Sequence, residues 1–200
     1  MAADIHAIIR DLESFYDFTG KTVIHVGAGG GQLVAYARRA RHVLAVDPDP
    51  AAVTRLEAAL RAAGLAERFQ VVNGLFETVT ATADVVFFEF CLHEIDDPAA
   101  ALAHARTLAP EIVVIDHAPD SPWVWLMDEG GKLERSWGAV GRAPAERQSL
   151  FEGVQHFNQF QELQAKLESL GEPTLTRIQE YREQRDFTIG MDYRAALIRS

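Results

Sequence analysis

Cysteine is almost absent from this chain, and no apolar run is long. The 200 residues include a single cysteine, Cys91, which excludes an internal disulfide and favours a cytoplasmic protein. No apolar stretch approaches the roughly 18 residues that a membrane span needs. The first eighteen residues lack a basic segment followed by an apolar block, so no signal peptide is predicted.

Basic residues are also scarce. Lysine and arginine total 19 against 29 acidic residues, for a formal net charge of -10. The nearest approach to a basic patch is Arg38, Arg39 and Arg41, which we interpret as a solvated helix face. Duplex binding needs a basic stripe that replaces condensed counterions. Nucleic acids and anionic membranes are therefore not expected partners.

The rest of the chain alternates short apolar strands with helical segments. After an amphipathic helix within residues 1–18, strands are predicted at 22–26, 42–46, 69–72, 84–90 and 111–115. Helices are predicted at 32–40 and 51–63, and a third begins after Asp97, a good N-cap before Pro98. This alternation is typical of a Rossmann-like α/β fold, a parallel sheet with helices on both faces.

The C-terminal part of the chain is less regular. Residues 118–157 are interpreted as a substrate-side insertion or lid within one domain that spans 1–200. A late helix follows, with Asn158 and Gln161 resembling a capping box. The tail, 174–200, predicts two more strands.

Glycines cluster directly after the first strand, in the stretch VIHVGAGGG. Gly27, Gly29 and Gly31 have the spacing G-x-G-x-G, and Gln32 stands where a nicotinamide-binding fingerprint requires glycine. Ligands of open parallel sheets bind beyond the carboxyl ends of the strands. The following helix is expected to add a partial positive charge at its N-terminus. We therefore expect a cofactor against this turn.

An acidic residue ends the second strand, twenty residues after the first glycine. A carboxylate at this place can accept hydrogen bonds from both ribose hydroxyls of an adenosine group, which is the role we predict for Asp47. The alternative is a turn-forming aspartate before Pro48.

Four stretches together resemble the class I S-adenosylmethionine-dependent methyltransferases. They are VIHVGAGGG, AVDPDP, RFQVVNGLFETV and ADVVFFEFCLHEIDDPAAAL, and they cover roughly residues 20–117. The last is consistent with the branch that acts on small molecules. The resemblance implies S-adenosylmethionine as the cofactor and a seven-stranded sheet whose last strand is antiparallel.

The resemblance also implies roles for individual residues. Gly27, Gly29 and Gly31 would line the methionine and ribose portion of the cofactor. Asp47 and Pro48 would lie at the ribose, with Leu75 and Phe76 flanking the adenine ring.

Two positions depart from the family pattern. The family commonly has an acid where His25 stands, so His25 either contacts the cofactor's methionine end differently or fills the core. After the third strand, only Asn73 or a backbone carbonyl is offered to the adenine amino group.

Methyl transfer from a sulfonium is an in-line displacement, so the protein mainly positions the reactants and excludes water. A base is needed only if the acceptor must lose a proton. His117 is the first candidate and His93 the second, because both follow strands that flank the expected cleft. Glu89 interrupts a buried strand and is predicted to contact the cofactor, the alternative being a paired structural acid. Cys91 is interpreted as a packing residue.

The acceptor is expected to be a small molecule, apolar or aromatic. Glu94, Trp123 and His156 are the candidate contacts, and all three tryptophans fall in the irregular region. Asp116 joins Glu89 and the two histidines in offering metal-binding side chains, but no short ligand spacing supports a site, so no metal is predicted.

The sequence thus predicts a cytoplasmic methyltransferase, monomeric or homodimeric. The alternatives are a non-catalytic module that binds the same cofactor and a nicotinamide-dependent oxidoreductase.

Overall fold

A seven-stranded sheet forms the centre of the computed structural model, which describes residues 4–199. The strand order is β3-β2-β1-β4-β5-β9-β6, and β7 and β8 form a separate two-stranded sheet. The strands are β1 (Thr22–Val26), β2 (His42–Asp47), β3 (Phe69–Asn73), β4 (Val85–Glu89), β5 (Glu111–His117), β6 (Ala145–Phe151), β7 (Val154–Gln159), β8 (Arg185–Gly190) and β9 (Tyr193–Arg199).

The first five strands are parallel to one another, whereas β9 runs antiparallel to both of its neighbours, β5 and β6. This arrangement confirms the predicted Rossmann-like fold with an antiparallel last strand. Strand order reverses between β1 and β4, so a crevice is expected beyond their carboxyl ends.

Helices cover both faces of the sheet. They are α1 (Ile5–Phe15), α2 (Pro50–Ala63), α3 (Pro98–Leu108), α4 (Pro122–Met127), α5 (Gly130–Arg142), α6 (Phe160–Leu167) and α7 (Thr174–Arg177). Buried residues of α1 and α6 share one apolar cluster, whereas those of α3 and α5 share the other. As predicted, α3 begins with Asp97 as its N-cap, whose carboxylate accepts from the Ala100 N–H at 2.9 Å.

The central strand β4 shows why these segments form strands. All five of its residues are buried, as expected for a parallel strand covered on both faces. Val85 and Phe87 pack into the cluster that includes α1, while Val86 and Phe88 pack into the cluster that includes α3. Side chains of successive residues point to opposite faces, so one apolar run serves two cores.

The helix predicted at 32–40 is wrong in type and length. Only Val34–Arg38 is helical there, as a 3-10 stretch, and its N-cap residue Leu33 makes no side-chain capping bond. Burial of Tyr36 and its neighbours holds the segment instead of an α-helical ladder. A single 3-10 stretch of this length does not supply the helix dipole expected after the glycines.

The region expected to be irregular, 118–155, is mostly regular. It contains α4, α5 and the edge strand β6 of the main sheet. Ser121 caps α4, and Asp128 ends it in the left-handed conformation. The segment looked irregular because its polar strand β6 carries little apolar periodicity.

The C-terminal strands also differ from the expectation. Both predicted strands exist, but only β9 joins the main sheet, whereas β8 pairs with β7. The late helix begins at Phe160. Asn158 donates from its backbone N–H and its side-chain amide to the carboxylate of Glu162, rather than pairing with Gln161.

Among residues 4–199, no helix has the length and apolar character needed to cross a membrane.

Gly31 lies against α2 and has a positive φ of 76°. A Cβ at this position would lie 2.8 Å from the Cβ of Ala59 and 3.2 Å from Leu56 Cδ1. Glycine here therefore permits the turn and also lets α2 approach it.

We expect Gly31→Ala to destabilise the protein more than Gly64→Ala, by roughly 1–3 kcal/mol from overpacking. Gly64 is the matched control because its φ is 68° with open space around its Cβ position. Both variants bear the left-handed strain of a non-glycine residue. Urea unfolding measures the difference, and equal losses would contradict the packing role of Gly31.

Candidate active site

Two adjoining cavities open at the carboxyl ends of the central strands. The first cavity, about 520 Å³, lies over β2 and the loop after β3, where Asp47 and Phe76 line it. The second cavity, about 430 Å³, lies toward α1, α4 and α6. Gly27, Gly29 and Phe90 line both. The glycine turn after β1 is therefore the floor on which two ligands could meet.

Gly27 has no room for a side chain. Its φ is 69°, and a Cβ there would collide with the side chain of Cys91 and lie 3.2 Å from the Glu89 carbonyl. The Cys91 Sγ lies 3.2 Å from the Val26 carbonyl, to which the thiol donates. Burial raises the pKa of Cys91 well above its ordinary value. These observations favour packing as the role of Cys91.

The three predicted cofactor glycines divide into two groups. Gly27 and Gly29 line the cavities, whereas the Gly31 Cβ position faces α2 and Gly31 lines neither cavity. Gly30, which the spacing argument passed over, lines the second cavity. The structure gives Gly31 a packing role against α2, and its contact with the cofactor stays a prediction.

Asp47 is 7% exposed and lines the first cavity. Its Oδ2 accepts from the Gly29 N–H at 3.0 Å, and its Oδ1 accepts from the Asp49 N–H at 2.9 Å. Each carboxylate oxygen has a further lone pair. Asp47 can therefore hold the turn and still accept from a ligand, so its two predicted roles are compatible.

Pro48, Leu75 and Phe76 line the first cavity, where the resemblance places the ribose and adenine. Leu75 is 58% exposed, so an apolar side chain is available on the rim. Asn73 does not line this cavity, and its Nδ2 donates to the carbonyls of Asp47 and Pro48 at 2.9 and 3.0 Å.

Two acids of the first cavity wall were missed by sequence reasoning. Glu77 and Asp96 line it from the loops after β3 and β4. Both sit in exposed polar turns, where nothing in the local pattern separates a ligand contact from a solvated side chain.

His25 is fully buried, and it links the core to the cavity wall. Its Nε2 lies 2.7 Å from Glu89 Oε2, and its Nδ1 lies 3.1 Å from the Tyr36 hydroxyl. The ring stacks on Phe87 with centroids 4.8 Å apart. His25 lines neither cavity, so of the two alternatives the geometry favours the core position, and a direct cofactor contact stays a prediction.

Glu89 reaches the second cavity from the end of β4 and is 8% exposed. Burial raises the pKa of its carboxyl above the ordinary value, although the hydrogen bond and charge of His25 oppose the shift. When the Tyr36 hydroxyl donates to Nδ1 of His25, the ring proton is on Nε2 and points toward Glu89. A buried carboxylate in this setting favours a cationic ligand in the adjoining cavity.

Apolar side chains form most of the second cavity wall. They are Ile5, Ile8, Phe90, Trp123, Met127, Leu167, Leu170 and Met191. The charged or polar side chains of the wall are Gln32, Glu89, His117, Gln155 and Lys166. Such a lining suits a small, mostly apolar molecule with a few fixed polar contacts.

The structure brings Trp123 to the second cavity but not His156. Trp123 is 3% exposed and stacks on Phe157 with centroids 6.2 Å apart. On β7, His156 is exposed and its neighbour Gln155 is buried and faces the cavity. Strand alternation thus turns Gln155 rather than His156 toward the cavity, and a substrate contact of His156 stays a prediction.

His117 ends β5 and lines the second cavity. Burial lowers its pKa to about 4, with Asp116 opposing the shift and His93 and Lys166 adding to it. Its Nδ1 is buried without a hydrogen-bond partner among the described residues. Trp137 donates to the backbone carbonyl of His117 at 2.8 Å, which fixes the strand end. His117 is thus a neutral ring with a free nitrogen at neutral pH.

His93 lies behind the cavity wall and lines neither cavity. Its Nδ1 lies 2.7 Å from Asp116 Oδ1, and its Nε2 lies 3.3 and 3.7 Å from carboxylate oxygens of Glu94 and Glu129. Burial lowers the pKa of His93, but Asp116 and the two glutamates raise it overall. The structure thus places His93 in a partly buried ion-pair network, and its direct catalytic contact stays a prediction.

Glu94 has a different place from the one predicted. It lines the first cavity rather than the second, and its carboxylate binds Lys132 at 2.9 Å. Lys132 also binds Glu129 at 3.1 Å. Ligand atoms of His93, Glu94 and Glu129 lie within 4.8 Å of one another, and Lys132 pairs with both glutamates in the described structure.

Phe90 separates the two cavities and has a strained backbone. Its φ of 44° is uncommon for a bulky residue, and its N–H donates to the Ile115 carbonyl at 2.8 Å. The ring packs 4.8 Å from His117 and 6.0 Å from Tyr193, centroid to centroid. Strain held by such packing is typical of functional sites.

Residues 24–111 match a family model described as a methyltransferase domain. The matched range begins in β1 and ends at the start of β5, so it contains the glycine turn, Asp47 and Glu89. No curated protein matches the chain.

Solved structures match nearly the whole chain. The YcgJ protein of Bacillus subtilis superposes with a TM-score of 0.65 at 13% identity, covering 98% of both chains. A Bacillus halodurans protein, provisionally described as a methyltransferase, has a TM-score of 0.63 at 18% identity and covers 98% of both chains. Magnesium protoporphyrin IX methyltransferase of Synechocystis, solved with S-adenosylhomocysteine (SAH), has a TM-score of 0.58 at 14% identity, with 98% and 81% covered.

These likenesses establish a Rossmann-like methyltransferase fold. The likeness to a methyltransferase is thus one of fold over nearly the whole chain and one of sequence over residues 24–111.

We expect Glu89→Gln to weaken SAH binding without lowering stability at pH 7. A charged hydrogen bond to the ligand's ammonium contributes roughly 1.5–3 kcal/mol, so affinity should fall about ten-fold to a hundred-fold. Because the pKa of Glu89 is raised by folding, its stabilising contribution is present below its ordinary pKa and is lost as pH rises. Because glutamine resembles the protonated carboxyl and does not ionise, the variant should not lose stability as the pH rises.

Isothermal titration with SAH and urea unfolding at pH 7 check the two halves of this prediction. Glu183→Gln is the control, because Glu183 is exposed and lines neither cavity. Unchanged SAH affinity combined with a large loss of stability would make Glu89 a structural acid instead.

Proposed function

We propose that this protein transfers a methyl group from S-adenosylmethionine to a small-molecule acceptor held in the second cavity. The observation that carries the proposal is the pair of adjoining cavities with Gly27, Gly29 and Phe90 as their common wall. One has the acid and apolar rim suited to an adenosine group. The other, at about 430 Å³ with mainly apolar walls, has the size of a small-molecule site.

The residues of the first cavity fit the adenosine part of the cofactor. Asp47 would accept from the ribose hydroxyls, with Pro48 beside it, and Leu75 and Phe76 would flank the adenine. The carboxylates of Glu77 and Asp96 are the acceptors on offer for the adenine amino group. The glycine turn gives close backbone approach, because Gly27 and Gly29 line the cavity without side chains.

Glu89 is proposed to bind the ammonium of the cofactor's methionine portion. Its place supports this role, since it lies beside Gly27 and Gly29 in the second cavity wall. His25 then acts as a positioning residue, holding Glu89 through the 2.7 Å contact. In this arrangement a carboxylate on β4 supplies the charge that the family usually draws from the position of His25 on β1.

S-adenosylmethionine supplies an activated methyl group, so the chain's own residues have to orient the acceptor and exclude water. Phe90, Trp123 and the apolar walls would do both. Where the nucleophile carries a proton, His117 is the proposed acceptor, through the free Nδ1. The cofactor would supply the methyl group and keep the sulfur electron pair, while His117 would take the proton released by the acceptor's nucleophilic atom.

Transfer of a labelled methyl group to a panel of small apolar hydroxyl and amine compounds tests the proposal. Binding of S-adenosylmethionine and SAH is measured in parallel by isothermal titration. Binding with turnover of at least one acceptor supports the enzyme. Binding without turnover across the panel would favour the non-catalytic module, and absence of binding at millimolar concentration would overturn the proposal.

For an acceptor that loses a proton, we expect His117→Gln to lower kcat roughly 10²- to 10⁴-fold while SAH affinity is unchanged. The pKa of about 4 leaves the wild-type ring neutral at pH 7, so activity should decline only as pH falls toward about 4. Steady-state kinetics against pH measure both effects. His42→Gln serves as the control, since His42 is exposed at the start of β2.

The same variant also tests the burial of the ring. A folded pKa of about 4 against the ordinary 6.5 means that stability contributed by neutral His117 is lost as pH falls between these values. His117→Gln should make the free energy of unfolding less dependent on pH in this window. An unaltered slope would show that the ring is not buried as described.

A further inference from the structure

We propose that the methyl acceptor carries an anionic group, a carboxylate or its equivalent, which pairs with Lys166 at the mouth of the second cavity. This inference rests on the proposed function, because it names the class of acceptor for the same site. The supporting observations are the Lys166 ammonium, which has no ion pair among the described residues, and the buried polar atoms of Gln155 and His117 without hydrogen-bond partners. The rest of the cavity wall is mainly apolar.

Lys166 projects from α6 into the wall of the second cavity. No ion pair to it is found among residues 4–199, and the other charged side chain of that wall, Glu89, is paired with His25. The helical neighbour one turn earlier, Glu162, binds the backbone N–H and side-chain amide of Asn158 instead. The ammonium of Lys166 is therefore left to a ligand.

Lys166 is exposed, and the Trp123 ring holds its ammonium at the mouth of the cavity. Its Nζ lies 5.4 Å from the centroid of the Trp123 ring, a distance at which cation and ring attract. Burial lowers the pKa of Lys166, and no nearby acid opposes that shift. An anion would offset the cost of keeping a partly desolvated charge here.

Buried polar atoms without partners lie in the same cavity wall. Gln155 is 2% exposed, its Nε2 donates to the Met191 Sδ at 3.0 Å, and its Oε1 has no hydrogen-bond partner among the described residues. The His117 Nδ1 is in the same state. Both atoms can accept, so they suit a ligand that brings an O–H or N–H donor as well as its anion.

The anion would also affect the proposed base. Lys166 and His93 each lower the pKa of His117 by their charge, while Asp116 raises it. Pairing Lys166 with a bound anion removes one of the two opposing cations. An anionic acceptor is thus expected to make His117 more basic than a neutral acceptor of the same shape would.

Matched probes test this proposal without turnover. Benzoate, phenylacetate and indole-3-acetate are each compared with the corresponding amide, in binding to the protein saturated with SAH. Isothermal titration measures affinity for the wild type, Lys166→Met and Lys166→Arg. Arg182→Met is the control, an exposed cation outside both cavities.

We expect at least one carboxylate to bind the wild type ten-fold or more tightly than its amide, because a charged hydrogen bond is lost in the amide. Lys166→Met should remove this preference, whereas Lys166→Arg and the control should keep it. The preference should also decrease as salt is added.

The proposal is overturned if no carboxylate binds at millimolar concentration, if each amide binds as well as its carboxylate, or if Lys166→Met keeps the preference. SAH affinity, measured on the same variants, distinguishes the outcomes. Normal SAH binding with no carboxylate preference rejects only the anionic acceptor, whereas loss of SAH binding in the wild type rejects the proposed function itself.

Discussion

The contact between His25 on β1 and Glu89 on β4 is the constraint on which both cavities depend. It joins the two strands at which strand order reverses, directly before the glycine turn on one side and Phe90 on the other. A buried carboxylate needs a partner, and Tyr36 holds the far side of the imidazole in the core. Moving the His25 ring or the Glu89 carboxylate would displace the glycine turn and Phe90, which line both cavities.

The two cavities are built from different parts of the chain. The first lies almost wholly within the matched domain, on turns that follow β1, β2, β3 and β4. Much of the second comes from α1 and from residues beyond β5, including Trp123, Gln155 and Lys166. The first cavity thus lies in the part of the chain that resembles a methyltransferase domain, whereas much of the second is built from residues outside that part.

The strands were predictable because apolar periodicity and turn residues act locally. β1 and β2 lie within one residue of the predicted bounds, and Asp97 caps α3 as expected. The site was less predictable where one sequence pattern is compatible with two different structural roles. Gly31 resembles a cofactor glycine but packs against α2, and a one-residue change of strand face separates exposed His156 from buried Gln155.

The sequence by itself determined the fold class and the place of the glycine turn, since these depend on short-range patterns of apolar residues and glycine. Only the tertiary structure decided which side chains meet. His25 and Glu89 are 64 residues apart in the chain, and Lys166 reaches Trp123 across 43 residues. Such contacts arise from how elements pack, and no local pattern encodes them.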